Sequence, residues 1–295
     1  MAGVSLSFMK LRLLLALLFA FVLRPSFAAD HSDWTTPIAP FKISGNLYYV
    51  GSRDLGAYLV HTPQGNILIN ANLASSPALI KASVEKLGFK WADTKILLSS
   101  QAHYDHVAGA AEVVKETHAK YEVMDGDVKV AEDGGVSDFD PTLDHFTGTH
   151  VDHVLHDGEA ITLGGTTIVA HKTAGHTRGC TTFTMETKDG GKVHHVVIVG
   201  GWAANPGVRF VTMGGKAASY PGIKADFEKT FVTLKALPCD IWVGAHGVYF
   251  DMLEKLAREP KEGYAVWIDP QGYQKAIAEH EAIWRKELAR QVAAK

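Results

Sequence analysis

The sequence predicts an α/β protein of one domain, in which two mixed β-sheets pack face to face between flanking helices, an αββα sandwich. Three observations carry this. Short apolar or alternating runs come in two groups, and each group gives way to segments with helical spacing. The middle of the chain reads β-α-β-α-β, which favours a partly parallel sheet with helices on a face. No linker, low-complexity tract or tandem repeat divides the chain, and 46% hydrophobic and 21% charged residues are the make-up of a core-forming globular protein.

Taken in order, the chain opens on Lys10 and Arg12, an apolar run from Leu13 to Leu23, and Ser26-Phe27-Ala28. This is the pattern of a secretory leader over residues 1–28, cleaved after Ala28, leaving 29–295 as the mature domain. The run is too short to span a bilayer, which takes about 20 residues. A periplasmic or secreted protein is expected, with no membrane attachment after cleavage. The leader holds Lys10, Arg12 and Arg24 and no acid, so the 29 basic residues fall to 26 against 32 acidic ones, a net charge of −6. That balance, without any basic block, argues against a nucleic-acid partner.

Asp30 to Pro40 reads as an extended, Pro-punctuated stretch, and Asn46–Val50, Ala57–His61 and Asn66–Asn70 as a β-meander broken at Gly51-Ser52 and Pro63-Gln64-Gly65. Ser76-Pro77 starts a helix as N-cap and first helical residue, and Gly88 ends it. A strand at Lys95–Ser99, a helix at Gly109–His118 and a strand at Tyr121–Met124 follow. Asp125 to Thr149 is irregular, broken by Gly134-Gly135 and Asp140-Pro141; such a long segment is often a functional flap. Val151–Leu155 and the hairpins Ala160–Leu163/Thr166–His171 and Thr181–Thr187/Val193–Val199 supply the second group of strands. A helix at Ile223–Leu237, a strand at Ile241–Val243, a short helix at Met252–Ala257 and an amphipathic helix at Tyr273–Ala293 complete the chain.

The chemistry concentrates where the apolar strand Ile96-Leu97-Leu98 runs into Gln101-Ala102-His103-Tyr104-Asp105-His106. In an extended chain Gln101, His103 and Asp105 project to one side, and His106 joins them only if the chain turns there into a helix. Imidazoles and a carboxylate converging at a strand end suit zinc. Two later histidines share a local form, past a strand and beside glycine: His176 in Gly175-His176-Thr177 and His246 in Ala245-His246-Gly247. Small neighbours let the backbone close on a crowded site.

The remaining histidines read otherwise. His150, His153 and His156 sit in strand-like flanks that make their side chains diverge, His194 and His195 face opposite sides of a strand, and His118, His145 and His171 lack partners at useful spacing. Asp157 and Asp240 read as capping or turn residues. Cys180 and Cys239 form no C-x-x-C pair, which removes a redox or zinc-ribbon role, and whether they are bonded stays open. No G-x-S-x-G elbow, Walker loop or dinucleotide fingerprint is present, so serine hydrolase, NTPase and Rossmann readings have no support.

The run from Gln101 to His106 resembles the H-x-H-x-D-H signature of the metallo-β-lactamase superfamily, and His176 and His246 fall in the order that family uses. The chain is most similar to the third subclass of class B β-lactamases. That match is carried by Val154-Leu155-His156-Asp157-Gly158, Leu163-Gly164-Gly165, Gly175 to Thr182, Tyr220-Pro221-Gly222 and Ala236 to Asp240. The resemblance implies the metallo-β-lactamase fold and two zinc sites, one of Gln101, His103 and His176, the other of Asp105, His106 and His246. It further implies hydrolysis of the β-lactam amide bond by a metal-bound hydroxide, with Asp105, His103 and His176 as catalytic residues, and hence antibiotic resistance. The partner is then a small β-lactam, and a monomer is expected because no oligomer patch is legible.

Two departures stand out. Gln101 replaces the first histidine of the signature, and a carboxamide oxygen is a weaker zinc ligand than imidazole, so the half containing Gln101 is expected to hold its metal less tightly. Trp202 and Ala204 replace serines that often help hold the substrate carboxylate, leaving Asn205 or a basic side chain to do so. Glyoxalase-like and phosphodiesterase-like relatives carry a metal-bridging Asp where Gly201 stands, which disfavours those readings. Two alternatives stay open: another hydrolase of the same fold, such as a lactonase, and a zinc-binding member with little turnover.

Overall fold

The computed structural model describes residues 31–294, so the leader expected over residues 1–28 lies outside the described chain. The strands are β1 (Phe41–Ser44), β2 (Leu47–Tyr49), β3 (Tyr58–Thr62), β4 (Gly65–Ile69), β5 (Thr94–Leu98), β6 (Lys120–Met124), β7 (His153–Leu155), β8 (Glu159–Leu163), β9 (Thr166–Lys172), β10 (Thr181–Asp189), β11 (Lys192–Val199) and β12 (Ile241–Gly244). The helices are α1 (Ser32–Thr35), α2 (Ser76–Lys86), α3 (Tyr104–Val107), α4 (Ala110–Thr117), α5 (Val128–Asp133), α6 (Ile223–Ala236), α7 (Met252–Glu262) and α8 (Pro270–Ala293). A seven-stranded sheet runs in the order β1-β2-β3-β4-β5-β6-β7, and a five-stranded sheet in the order β12-β11-β10-β9-β8.

Alternation along the strands sorts the side chains into two cores. In the first sheet Val60, Ile67, Ile69 and Leu98 point inward, against Ile168, Phe183 and Ile198 of the second. Leu59, Leu68, Leu97, Tyr121 and Val123 point the other way, onto Ile80 and Val84 of α2 and Val113 of α4. Phe227, Phe231 and Leu234 of α6 and Tyr273, Ile277 and Trp284 of α8 cover the second sheet. Each such side chain contributes about 1.5–3 kcal/mol on burial, and together they make the predicted αββα sandwich.

The pairing determines where the site forms. β4, β5, β6 and β7 are parallel, and so are β11 and β12. β10 runs antiparallel to both β9 and β11, so β9, β11 and β12 share a direction. The chain therefore leaves β5, β9, β11 and β12 at a common edge, where the Thr181 amide donates to the Ser100 carbonyl at 2.7 Å and ties the sheets together.

Several local expectations need correction. The Asp30–Pro40 stretch is not wholly extended: Ser32–Thr35 forms one helical turn, closed by Thr36 N–H to the Ser32 carbonyl. β1 follows the second proline of that stretch and was not anticipated. The Asp125–Thr149 segment contains α5, which ends on Gly134 at φ +71° in a left-handed cap. α2 begins one residue earlier than predicted, with Ser75 rather than Ser76 at the cap and no side-chain cap bond. α7 runs through Pro260 to Glu262. Cys180 and Cys239 are both free thiols.

Candidate metal centre

The first loop is fixed before its functional side chains appear. Ser99 Oγ and Tyr121 OH are 2.9 Å apart, and the Ser100 amide donates to Asn70 Oδ1 at 2.9 Å. His103 is extended, with φ −82° and ψ 150°, as the residue capping α3. The alternation expected to carry on to Asp105 stops here, because Asp105 already lies in the first turn of α3. A helical turn advances about 100° per residue, so Asp105 and His106 come round together as neighbours, with His106 Nε2 3.2 Å from Asp105 Oδ2.

The second loop needs glycine twice. Gly175 adopts φ +132°, and a Cβ there would lie 2.7 Å from the Phe227 ring. A Cβ on Gly201 would lie 2.8 Å from the ring of His176. A side chain at 201, and with it a bridging aspartate, would therefore displace His176. His176 gives its Nδ1–H to the Ala203 carbonyl at 2.7 Å, so Nε2 is the nitrogen left to act. The third loop is braced by the turn at 52–56: Gly56 N–H donates to Ala245 O at 2.8 Å, and Gly247 N–H to Asp54 O at 2.6 Å.

All six predicted residues arrive at this edge. Asp105, His106 and His246 bring ligand atoms within 4.8 Å of one another. Beside them the His103 and His176 rings meet edge-on with centroids 4.6 Å apart. Gln101 donates from Nε2 to Gly200 O at 3.2 Å, and its Oε1 is buried without a partner among the described residues. Buried polar groups without partners are costly, and among the described residues the Gln101 oxygen and both His106 nitrogens make no hydrogen bond. Nitrogen and oxygen donors left open in this way fit a bound metal of the zinc type.

The electrostatics differ from one histidine to the next. Burial holds His103 well below the ordinary imidazole value, and His176 beside it adds to the effect. Burial likewise lowers His176 to about 4. Both rings are thus neutral, the form that binds metal. Burial opposes a charge on His246, but the Asp105 and Asp54 carboxylates outweigh it and raise the ring to about 9. Burial also opposes ionisation of Asp105, yet His106 and His246 keep it well below the usual carboxylate value.

Three supporting groups escaped the reading of the sequence. Asp54 accepts His246 Nδ1–H at 2.9 Å, Val248 N–H at 3.0 Å and Trp34 Nε1–H at 3.1 Å. Asp127, 1% exposed, accepts Ala102 N–H at 2.9 Å, Thr177 Oγ1–H at 2.6 Å and Gly179 N–H at 2.7 Å. It clips the first ligand loop to the second. Trp34, Tyr104, Leu143 and Tyr249 wall a cleft of about 590 Å³ whose floor is His103, Asp105, His176 and His246. Asn205 also lines it, whereas among the described residues no Lys or Arg does. A second cleft of about 560 Å³, on the outer face of β9, β10 and β11, is remote from all of these groups.

Trp202 points elsewhere: it is buried, stacked on His280 at 4.7 Å, and reaches Tyr249 at 5.4 Å. His150, His153 and His156 pair with Glu132, Glu159 and Asp125 at the surface, away from the site. Asp157 and Asp240 are structural, accepting the Lys172 and His195 amides.

Residues 57–246 match the family described as Metallo-beta-lactamase superfamily. The native FEZ-1 metallo-beta-lactamase from Legionella gormanii is similar at 46% identity and a TM-score of 0.83, over 87% of this chain and 97% of that one. The class B3 di-zinc metallo-beta-lactamase LRA-12 from an Alaskan soil metagenome is 38% identical, with a TM-score of 0.81 over 88% and 97% of the two chains. The metallo-beta-lactamase GOB-18 from Elizabethkingia meningoseptica is 37% identical, with a TM-score of 0.81 over 90% and 96%.

Proposed function

Since the chain belongs to the metallo-beta-lactamase superfamily, we propose that it is a zinc-dependent hydrolase that opens the amide bond of β-lactams. The observation that carries the proposal is the convergence of six donor side chains from three distant loops, several with buried atoms that have no hydrogen-bond partner among the described residues. Gln101, His103 and His176 form one half of the centre, and Asp105, His106 and His246 the other. Zinc held by these residues would supply Lewis acidity and would lower the pKa of a water toward neutrality.

The chain's own groups do the rest. The Nδ1–H groups of His176 and His246 are held by the Ala203 carbonyl and the Asp54 carboxylate, which fixes the orientation of each ring. Asp105 serves as ligand and orients the attacking water. Trp34, Tyr104, Leu143 and Tyr249 shield the reacting bond from bulk solvent. Among the described residues no Lys or Arg lines the cleft, and the Asn205 carboxamide is the group that meets the substrate carboxylate.

Finer readings follow from the same residues. Two zinc ions bind, the one at Gln101 more weakly, because an amide oxygen replaces an imidazole. The leader over residues 1–28 sends the protein to the periplasm or outside the cell, where the activity gives β-lactam resistance. The mature domain spans residues 29–295 and acts as a monomer.

The test is to incubate the purified mature protein with a chromogenic cephalosporin, a carbapenem and an acyl-lactone, with and without chelator. Chelator-sensitive opening of the β-lactams is expected. Turnover of the lactone alone, or zinc binding without turnover, would overturn the proposal.

A further inference from the structure

Two of the ligand histidines are anchored on the side away from the cleft, His246 by Asp54 and His176 by the Ala203 carbonyl. His103 is not anchored in this way. Its Nε2 is buried and has no hydrogen-bond partner among the described residues. The oxygen facing it is Oδ2 of Asp138, 3.7 Å away, and the two side chains are 4% and 5% exposed.

Asp138 belongs to the irregular segment after α5, where neighbouring groups hold it. Its amide donates to Gly135 O at 3.1 Å, and its Oδ1 accepts the Asp140 amide at 2.8 Å. The next residue, Phe139, packs on Tyr220 with ring centroids 4.9 Å apart. Tyr220 is itself tied to Asp226 at 2.8 Å and covered by the Arg178 guanidinium at 5.3 Å. Oδ1 is thus committed to the turn, while Oδ2 faces a buried ring nitrogen. An N–H···O bond needs about 2.7–3.2 Å, so a shift of roughly half an ångström completes it. Buried carboxylates are stable only when hydrogen-bonded or paired.

We propose that Asp138 is the positioning residue of His103, its Oδ2 accepting the Nε2–H proton so that the Nδ1 lone pair is offered to the metal. This inference rests on the metal-centre reading above. The flap then does more than wall the cleft. Asp140, Thr142 and Leu143 of the same segment line it, and Asp138 links that wall to the metal affinity of the Gln101, His103 and His176 half. Carboxylate–histidine–metal arrangements of this kind typically change metal affinity about 10- to 100-fold when the carboxylate is lost.

The experiment is calorimetric zinc titration of chelator-treated wild type, Asp138→Asn and Asp138→Ala, with the cobalt(II) visible spectrum as a second readout. Gln101→Ala identifies which binding event belongs to the His103 half. Both Asp138 variants are expected to weaken that event by about 10- to 100-fold, to alter the cobalt bands, and to leave the other event unchanged. Wild-type affinity in both variants would overturn the proposal. So would a loss confined to Asp138→Ala, since the isosteric asparagine would then show that shape rather than the carboxylate matters. If Asp138→Ala fails to fold, Asp138→Asn decides alone. A wild type that binds no zinc refutes the metal-centre reading itself, which is a separate result.

Discussion

Replacing Asp54 by Asn removes one charge and almost no volume from behind His246. Asp54 is 7% exposed, and its carboxylate accepts three hydrogen bonds, from His246 Nδ1, Val248 N and Trp34 Nε1. A hydrogen bond to a charged group contributes about 1.5–3 kcal/mol. Asparagine keeps one acceptor oxygen but turns an NH2 group toward at least one of these donors, so the His246 bond is weakened or lost. If about 1.4–2.7 kcal/mol of ring orientation is forfeited, zinc affinity at the Asp105, His106 and His246 half falls about 10- to 100-fold. The assay is calorimetric zinc titration, paired with denaturant unfolding of the metal-free protein. Unchanged zinc affinity together with reduced stability would refute the reasoning, because Asp54 would then only brace the 52–56 turn against the third loop.

Gln101→His restores the full signature and is expected to tighten the weaker zinc event by about tenfold or more, roughly 1.4 kcal/mol; calorimetry of the single variant checks it. Asp127→Ala strands two buried backbone amides, Ala102 and Gly179, while the Thr177 hydroxyl can rotate to a new partner. At about 1–3 kcal/mol for each stranded donor, unfolding in denaturant should show a loss of about 2–6 kcal/mol near neutral pH. Burial raises Asp127 to about 6, with its three donors pulling the other way. A carboxyl raised on folding contributes most below its unfolded value, and that contribution is lost as pH rises through about 6. The advantage of wild type over Asp127→Ala, measured on chelated protein, should therefore shrink between pH 4 and 7, by at most about 3 kcal/mol; an advantage that grows with pH would contradict this.

The ligands were legible because each follows a recognisable strand and sits among small residues, and because a dense run such as Gln101 to His106 has few structural explanations. The sandwich was legible from alternation: Leu59, Leu68 and Leu97 and their inward neighbours announce two covered faces. What supports the ligands was not. Asp54 meets His246 across 192 positions, and Asp127 meets Ala102 across 25 and Thr177 across 50. A lone aspartate in a turn carries no local mark of such a partner. α5 was hidden because a helix this short is held by its docking and its glycine cap rather than by propensity. Asp105 was placed on the right side of the loop for the wrong reason, since strand alternation ends at His103 and the helical turn brings Asp105 in.

The central claim is a centre of two unequal halves assembled from three loops, and zinc titration of the chelator-treated mature protein tests it most directly. Two binding events of different affinity are expected, the weaker abolished by Gln101→Ala and the tighter by His246→Ala. Two events of equal affinity, or a single event untouched by either substitution, would contradict it.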